Sequence, residues 1–202
     1  MKDSTYILFL LDRSGSMAAI RTEVISGFNE FVKEQQQVGG VCLFKFVQFD
    51  SIDPQWEVFK GPIEKVKRLD GDSYVPRSCT PLLDATGMAI DNLGKELAKL
   101  DEADRPSRVI FVTFTDGEEN ASRYYTTEKV KQMVEEQQGK YNWKFLFMGI
   151  GIDAWQVGQT MGYQRVDTQS FDHTGAGMKR AYVYTSAIAT SCRTNKGGNS
   201  GV

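Results

Sequence analysis

Asp12, Ser14 and Ser16 stand two residues apart in the run DRSGSM, directly after a stretch of apolar residues. Far along the chain, Thr80 precedes Pro81 in SCTPLLDA, and Asp116 opens DGEEN where a second apolar run stops. Two carboxylates and three hydroxyls make five hard oxygen donors. That set suits a small hard cation such as Mg²⁺, which takes octahedral oxygen ligation and keeps several waters. Ser and Thr hydroxyls are neutral, so an ion they touched directly would stay under-neutralised and would draw an anionic ligand from outside. Asp12 and Asp116 would hold bound waters and orient the hydroxyls. The chemistry is adhesion through a metal, not bond cleavage.

Each piece alone has a local explanation. Asp and Ser favour turns and caps, Thr-Pro commonly opens a helix, and Asp-Gly is a frequent turn pair. The case rests on their coincidence, and the elements between them supply it. The nearly all-apolar run 5–11 reads as a strand covered on both faces, and the apolar-rich runs 41–50, 107–116 and 143–151 read as further strands. PQWEVFK (54–60) alternates after a brief turn and reads as an antiparallel edge strand, and YQRVDT as a short edge strand. Helical spacing spans 20–37, 81–100, 126–140, 153–162 and 172–192. Strands alternating with helices predict an α/β fold: a doubly wound, mainly parallel six-stranded sheet with one antiparallel edge strand and helices on both faces, Rossmann-like. In such sheets ligands bind beyond the carboxyl ends of the strands, where the strand order reverses. All three polar segments lie on that predicted side.

DRSGSM is similar to the DxSxS motif of von Willebrand factor A (VWA) domains, their metal-ion-dependent adhesion site (MIDAS). CTPLLDA resembles the family's threonine loop and TDGEEN its terminal aspartate loop. The resemblance runs from Lys2 to about residue 190. It implies Mg²⁺ or Mn²⁺ on the upper edge of the sheet, touched directly by Ser14, Ser16 and Thr80, with Asp12 and Asp116 acting mostly through water. It implies a protein-binding module of scaffold or adhesion type that captures a partner's Asp or Glu carboxylate. The chain is most similar to the stand-alone intracellular bacterial and phage members, including domains associated with tellurite-resistance and stress operons.

At 202 residues the chain fits a single domain over 1–192, with RTNKGGNSGV (193–202) expected as a flexible tail. Its net charge of -2, with no basic stripe, argues against nucleic acid. No signal-peptide pattern opens the chain and no apolar run reaches membrane-spanning length. Three scattered cysteines, Cys42, Cys79 and Cys192, fit neither a disulfide framework nor a zinc site, so a reducing, cytoplasmic setting is expected. The alternative is a metal-dependent phosphatase-like hydrolase using Asp12 as nucleophile. It lacks the general acid, because position 14 is Ser14. No enzyme is expected. His173, the only histidine, is expected in a capping or surface role. Asp84 and Glu118 read as solvated charges, Arg13 and Ser78 as groups flanking the pocket, and Trp56, Trp143 and Trp155 as packing residues.

Overall fold

The computed structural model describes residues 4–194. Strands β1 (Thr5–Asp12), β2 (Cys42–Phe49), β3 (Trp56–Pro62), β4 (Arg108–Thr115), β5 (Lys144–Ile150) and β6 (Thr168–Phe171) form one sheet in the order β3-β2-β1-β4-β5-β6. Only β3 runs antiparallel, at one edge. The helices are α1 (Arg21–Gln37), α2 (Leu82–Ala98), α3 (Thr127–Tyr141), α4 (Ala154–Thr160) and α5 (Gly175–Thr194).

Alternation along β1 explains why it reads as unbroken apolar sequence. Ile7, Phe9 and Leu11 face a core layer shared with α1 and α5, and Tyr6, Leu8 and Leu10 face a second layer under α2, α3 and α4. Both sides are dry, so positions 6–11 are all apolar. Phe9 sits among Phe28, Phe31, Phe44, Phe46, Phe114 and Tyr182, its ring 5.3 Å from that of Phe114. Gly27 lets α5 close on α1: a Cβ there would lie 2.1 Å from the Tyr182 ring.

Three boundaries differ from expectation. The short edge strand is Thr168–Phe171, and the 163–168 stretch instead carries a 3-10 turn at Arg165–Asp167. The polar loop after β1 winds into a 3-10 turn, Gly15–Ile20, before α1 starts. The last helix runs to Thr194, into the stretch expected as a tail; the rest of that tail, 195–202, lies outside the described residues. Among the described residues no helix is long and apolar enough to cross a membrane.

The strand order reverses direction between β1 and β4. The carboxyl ends of those two strands therefore form the crevice where such sheets bind ligands. Asp12 ends β1 and Asp116 follows the last residue of β4.

Candidate metal centre

Asp12 is wholly buried and both its oxygens are committed. Oδ1 accepts the Ser14 backbone N–H at 2.6 Å, and Oδ2 accepts the Thr115 hydroxyl at 2.6 Å. Thr115 is available because β1 and β4 run in register, Leu11 opposite Phe114. Burial pushes the Asp12 carboxyl up to about 7, against the lowering influence of the Thr115 and Ser14 hydrogen bonds; nearby Asp116 adds to the rise.

The Ser14 and Ser16 hydroxyl oxygens are 3.0 Å apart, and Ser16 donates to Asp116 Oδ1 at 2.6 Å. Ser14 occupies the cap position of the 3-10 turn, yet its side chain makes no capping bond. Thr80 does not cap α2 either: Pro81 holds the cap position, again without a side-chain cap, and Glu119 accepts the Leu83 N–H at 2.8 Å. The two local explanations of these residues therefore fail in this fold, and their hydroxyls are left for other work. Thr80 is 2% exposed and lies against Gly117, where a Cβ would come within 2.9 Å of its hydroxyl oxygen. Gly117 thus leaves a cradle beside Asp116 that any larger residue would fill.

The donor set fits a divalent ion of the magnesium class. Bonds of about 2.0–2.1 Å at right angles put neighbouring ligands about 3 Å apart, the spacing of the two serine hydroxyls. Among the described residues no three of His, Cys, Asp or Glu converge as a metal cage, so neutral hydroxyls would carry the direct contacts. Gly117→Ala should displace the Thr80 hydroxyl and weaken Mg²⁺ or Mn²⁺ binding by about 10- to 100-fold. Calorimetric titration of the metal checks this; unchanged affinity would remove Thr80 from the site.

Several residues stand elsewhere than expected. Arg13, expected to flank the pocket, is instead turned into the fold. It is 2% exposed, pairs with Asp50 at 2.8 Å and lies over the Trp56 ring at 4.1 Å. Trp56 is itself partly exposed, at the edge strand, unlike the buried Trp143. Asp84 is no solvated charge: it is buried and accepts the backbone N–H groups of Arg123, Tyr124 and Tyr125 at 2.7–2.8 Å. Glu119 adds the N–H groups of Ala121 and Ser122, and Ser122 accepts the Asp84 N–H at 2.9 Å. The 117–125 loop and the start of α2 are one hydrogen-bonded unit. Glu118 is exposed, as expected. Ser78, with φ 63°, accepts the Gly15 N–H on its carbonyl and so ties the threonine loop to the serine loop.

His173 departs furthest from expectation. Its Nε2 lies 2.9 Å from Asp116 Oδ2, at the heart of the cluster. Sequence order held the one available clue. β6 neighbours β5, so the loop after β6 reaches the same sheet edge as the loops after β1 and β4.

No protein-family model and no curated protein sequence matches this chain. Solved structures do. The pilus adhesin SpaC from Lactobacillus rhamnosus GG superposes with a TM-score of 0.60 at 13% identity, over 93% of this chain and 30% of that one. Proximal thread matrix protein 1 from the mussel byssus, solved with a zinc-occupied MIDAS motif, gives 0.56 at 15% identity, over 92% and 46%. A von Willebrand factor type A protein from Catenulispora acidiphila gives 0.54 at 13%, over 93% and 43%. The chain thus spans less than half the length of each of these, and the likeness is one of fold: this chain has the VWA fold.

Proposed function

We propose that this chain, on its VWA fold, is a divalent-metal-dependent protein-binding module that captures a partner's Asp or Glu carboxylate. Ser14, Ser16 and Thr80 would hold Mg²⁺ or Mn²⁺ directly, and Asp12 and Asp116 would hold it mostly through water. When bound, the ion supplies a Lewis-acidic position that an outside carboxylate can fill. The observation that carries this reading is the shared cluster of Ser14, Ser16 and Asp116 oxygens at the strand-order reversal, with Thr80 beside it. The chain's own groups do the rest. Asp12 fixes the Ser14 backbone, Asp116 accepts the Ser16 hydroxyl hydrogen bond, and Gly117 admits the Thr80 hydroxyl.

The same contacts favour binding over turnover. Both Asp12 oxygens are engaged and buried, so the carboxylate has no path to a substrate phosphorus. Ser16 donates to Asp116, and Asp116 meets His173. A nucleophilic serine needs the histidine next to it and the carboxylate behind; here that order is inverted, the carboxylate touching the serine and the imidazole standing behind it. A reducing compartment suits the three free thiols, one of them exposed.

Melting the protein with and without metal tests the proposal. At a hundredfold excess over Kd, an ion that binds only the folded state adds about 2.7 kcal/mol, roughly 5–10 °C for a chain of this size. Thr80→Val should abolish that rise while leaving the melting point in EDTA within about 1–2 °C of the parent. A partner retained on the immobilised chain should elute with EDTA. Melting that ignores both Mg²⁺ and Mn²⁺ would overturn the reading.

A further inference from the structure

Resting on that reading of the metal centre, we propose that His173 is its positioning residue: it donates through Nε2 to Asp116 and thereby fixes the carboxylate that orients the Ser16 hydroxyl. A serine hydroxyl that serves a cation as ligand must send its proton to an acceptor on the far side. Asp116 Oδ1 is that acceptor, at 2.6 Å. A carboxylate held by one oxygen can still turn about its last bond. The imidazole on Oδ2, 2.9 Å away, removes that freedom. The outcome is a directed arrangement: His173 and Ser16 both donate to Asp116, which leaves the lone pairs of the Ser16 oxygen for an ion, 3.0 Å from the Ser14 oxygen.

The backbone is shaped to put His173 there. To reach Asp116 from the end of β6, its side chain must cross the end of β5, which lies between β4 and β6. Gly151 follows β5 at that crossing. Its φ is +74°, and a Cβ there would stand 2.8 Å from the His173 Cβ. On the other side, Thr174 N–H donates to the Asp172 carbonyl at 2.7 Å and Gly177 N–H to the Thr174 hydroxyl at 3.0 Å. Gly177 admits that tight loop, since a Cβ there would lie 2.1 Å from the Asp172 oxygen. Two glycines and a helix cap thus hold one imidazole against one carboxylate. The Asp116 side chain is fully buried while His173 remains 36% exposed, so the histidine closes the outer side of the carboxylate.

Calorimetric titration of Mg²⁺ and of Mn²⁺ into the full chain tests the assignment. His173→Ala should weaken both metals by about 10- to 100-fold, the usual consequence of removing a group that orients a metal-site carboxylate, with no change of melting temperature in EDTA. His173→Gln, whose amide N–H can reach Asp116, should recover most of the affinity; a packing role alone would not distinguish these two variants in this way. Parental affinity in His173→Ala, or no recovery in His173→Gln, would overturn the inference while the metal reading stands. Failure of the parent chain to bind either ion would sink both.

Discussion

Asp12→Asn should be more stable than the parent in EDTA at pH 8, and blind to Mg²⁺. The Asp12 carboxyl is fully buried and pushed up to about 7, from 3.8 in an exposed chain, with burial the main cause. Below pH 4 it is protonated in both the folded and unfolded chain and imposes no penalty. As pH rises from 4 to 7 the unfolded chain ionises it freely while the fold resists, so the parent loses stability across that window and levels off above it. At 1.36 kcal/mol per pH unit the loss approaches a ceiling of about 4 kcal/mol. Asparagine keeps an acceptor for the Ser14 N–H, and the Thr115 hydroxyl can turn to the Gly117 carbonyl, 3.0 Å away. Urea unfolding in EDTA at pH 4, 6 and 8 checks this. The parent and the variant should diverge with rising pH; parallel curves would mean that Asp12 carries no buried charge. A residue that weakens the empty fold and serves the loaded one is the pattern expected of a functional group.

Asp50→Ala should have the opposite effect, destabilising by about 3–5 kcal/mol, because it leaves a buried guanidinium without its partner. Asp50 Oδ2 accepts from Arg13 and Arg77, each at 2.8 Å, and Oδ1 accepts the N–H groups of Ile52 and Asp53 at 2.8 Å. Burial alone would raise the Asp50 carboxyl; the Arg77 bond, the two backbone N–H groups and Arg13 more than reverse this and hold it below its usual range. Arg13 lies between Asp12 and Ser14 in sequence, so losing its anchor should also loosen the serine loop and weaken metal binding. Asp50→Asn, which retains an acceptor for the backbone groups, should lose less. Arg77 is 46% exposed, and Arg77→Ala should change stability by about 1 kcal/mol or less. Urea unfolding at neutral pH ranks the three; equal losses would contradict the buried pair.

The architecture was legible where its physics is local. β1, β2, β4 and β5 are covered on both faces and announce themselves as mostly apolar runs, and the polar residues that end β1 and follow β4 mark the candidate site. β6 was misplaced because a short, half-exposed edge strand has almost no pattern of its own. Its position is set by pairing with β5, Ile150 opposite Phe171. Asp84 reads as a solvated charge and Arg13 as a group flanking the pocket, and Glu119 gives no signal at all, because charge type says nothing about partners. Their roles come from backbone N–H groups and a carboxylate more than thirty residues away. His173 was hidden for the same reason: 57 positions separate it from Asp116, and only the folded sheet makes them neighbours.

The bonding of the 117–125 loop to the head of α2 has a bearing on how a partner would be met. Asp84 and Glu119 between them take up the amides that a free loop would leave to water. An arriving protein would therefore encounter a rim already in its final shape and would surrender little of its gain to ordering that segment. Recognition of this kind tolerates few outlines. Changes in tightness among related ligands would then appear in how long they stay rather than in how fast they arrive.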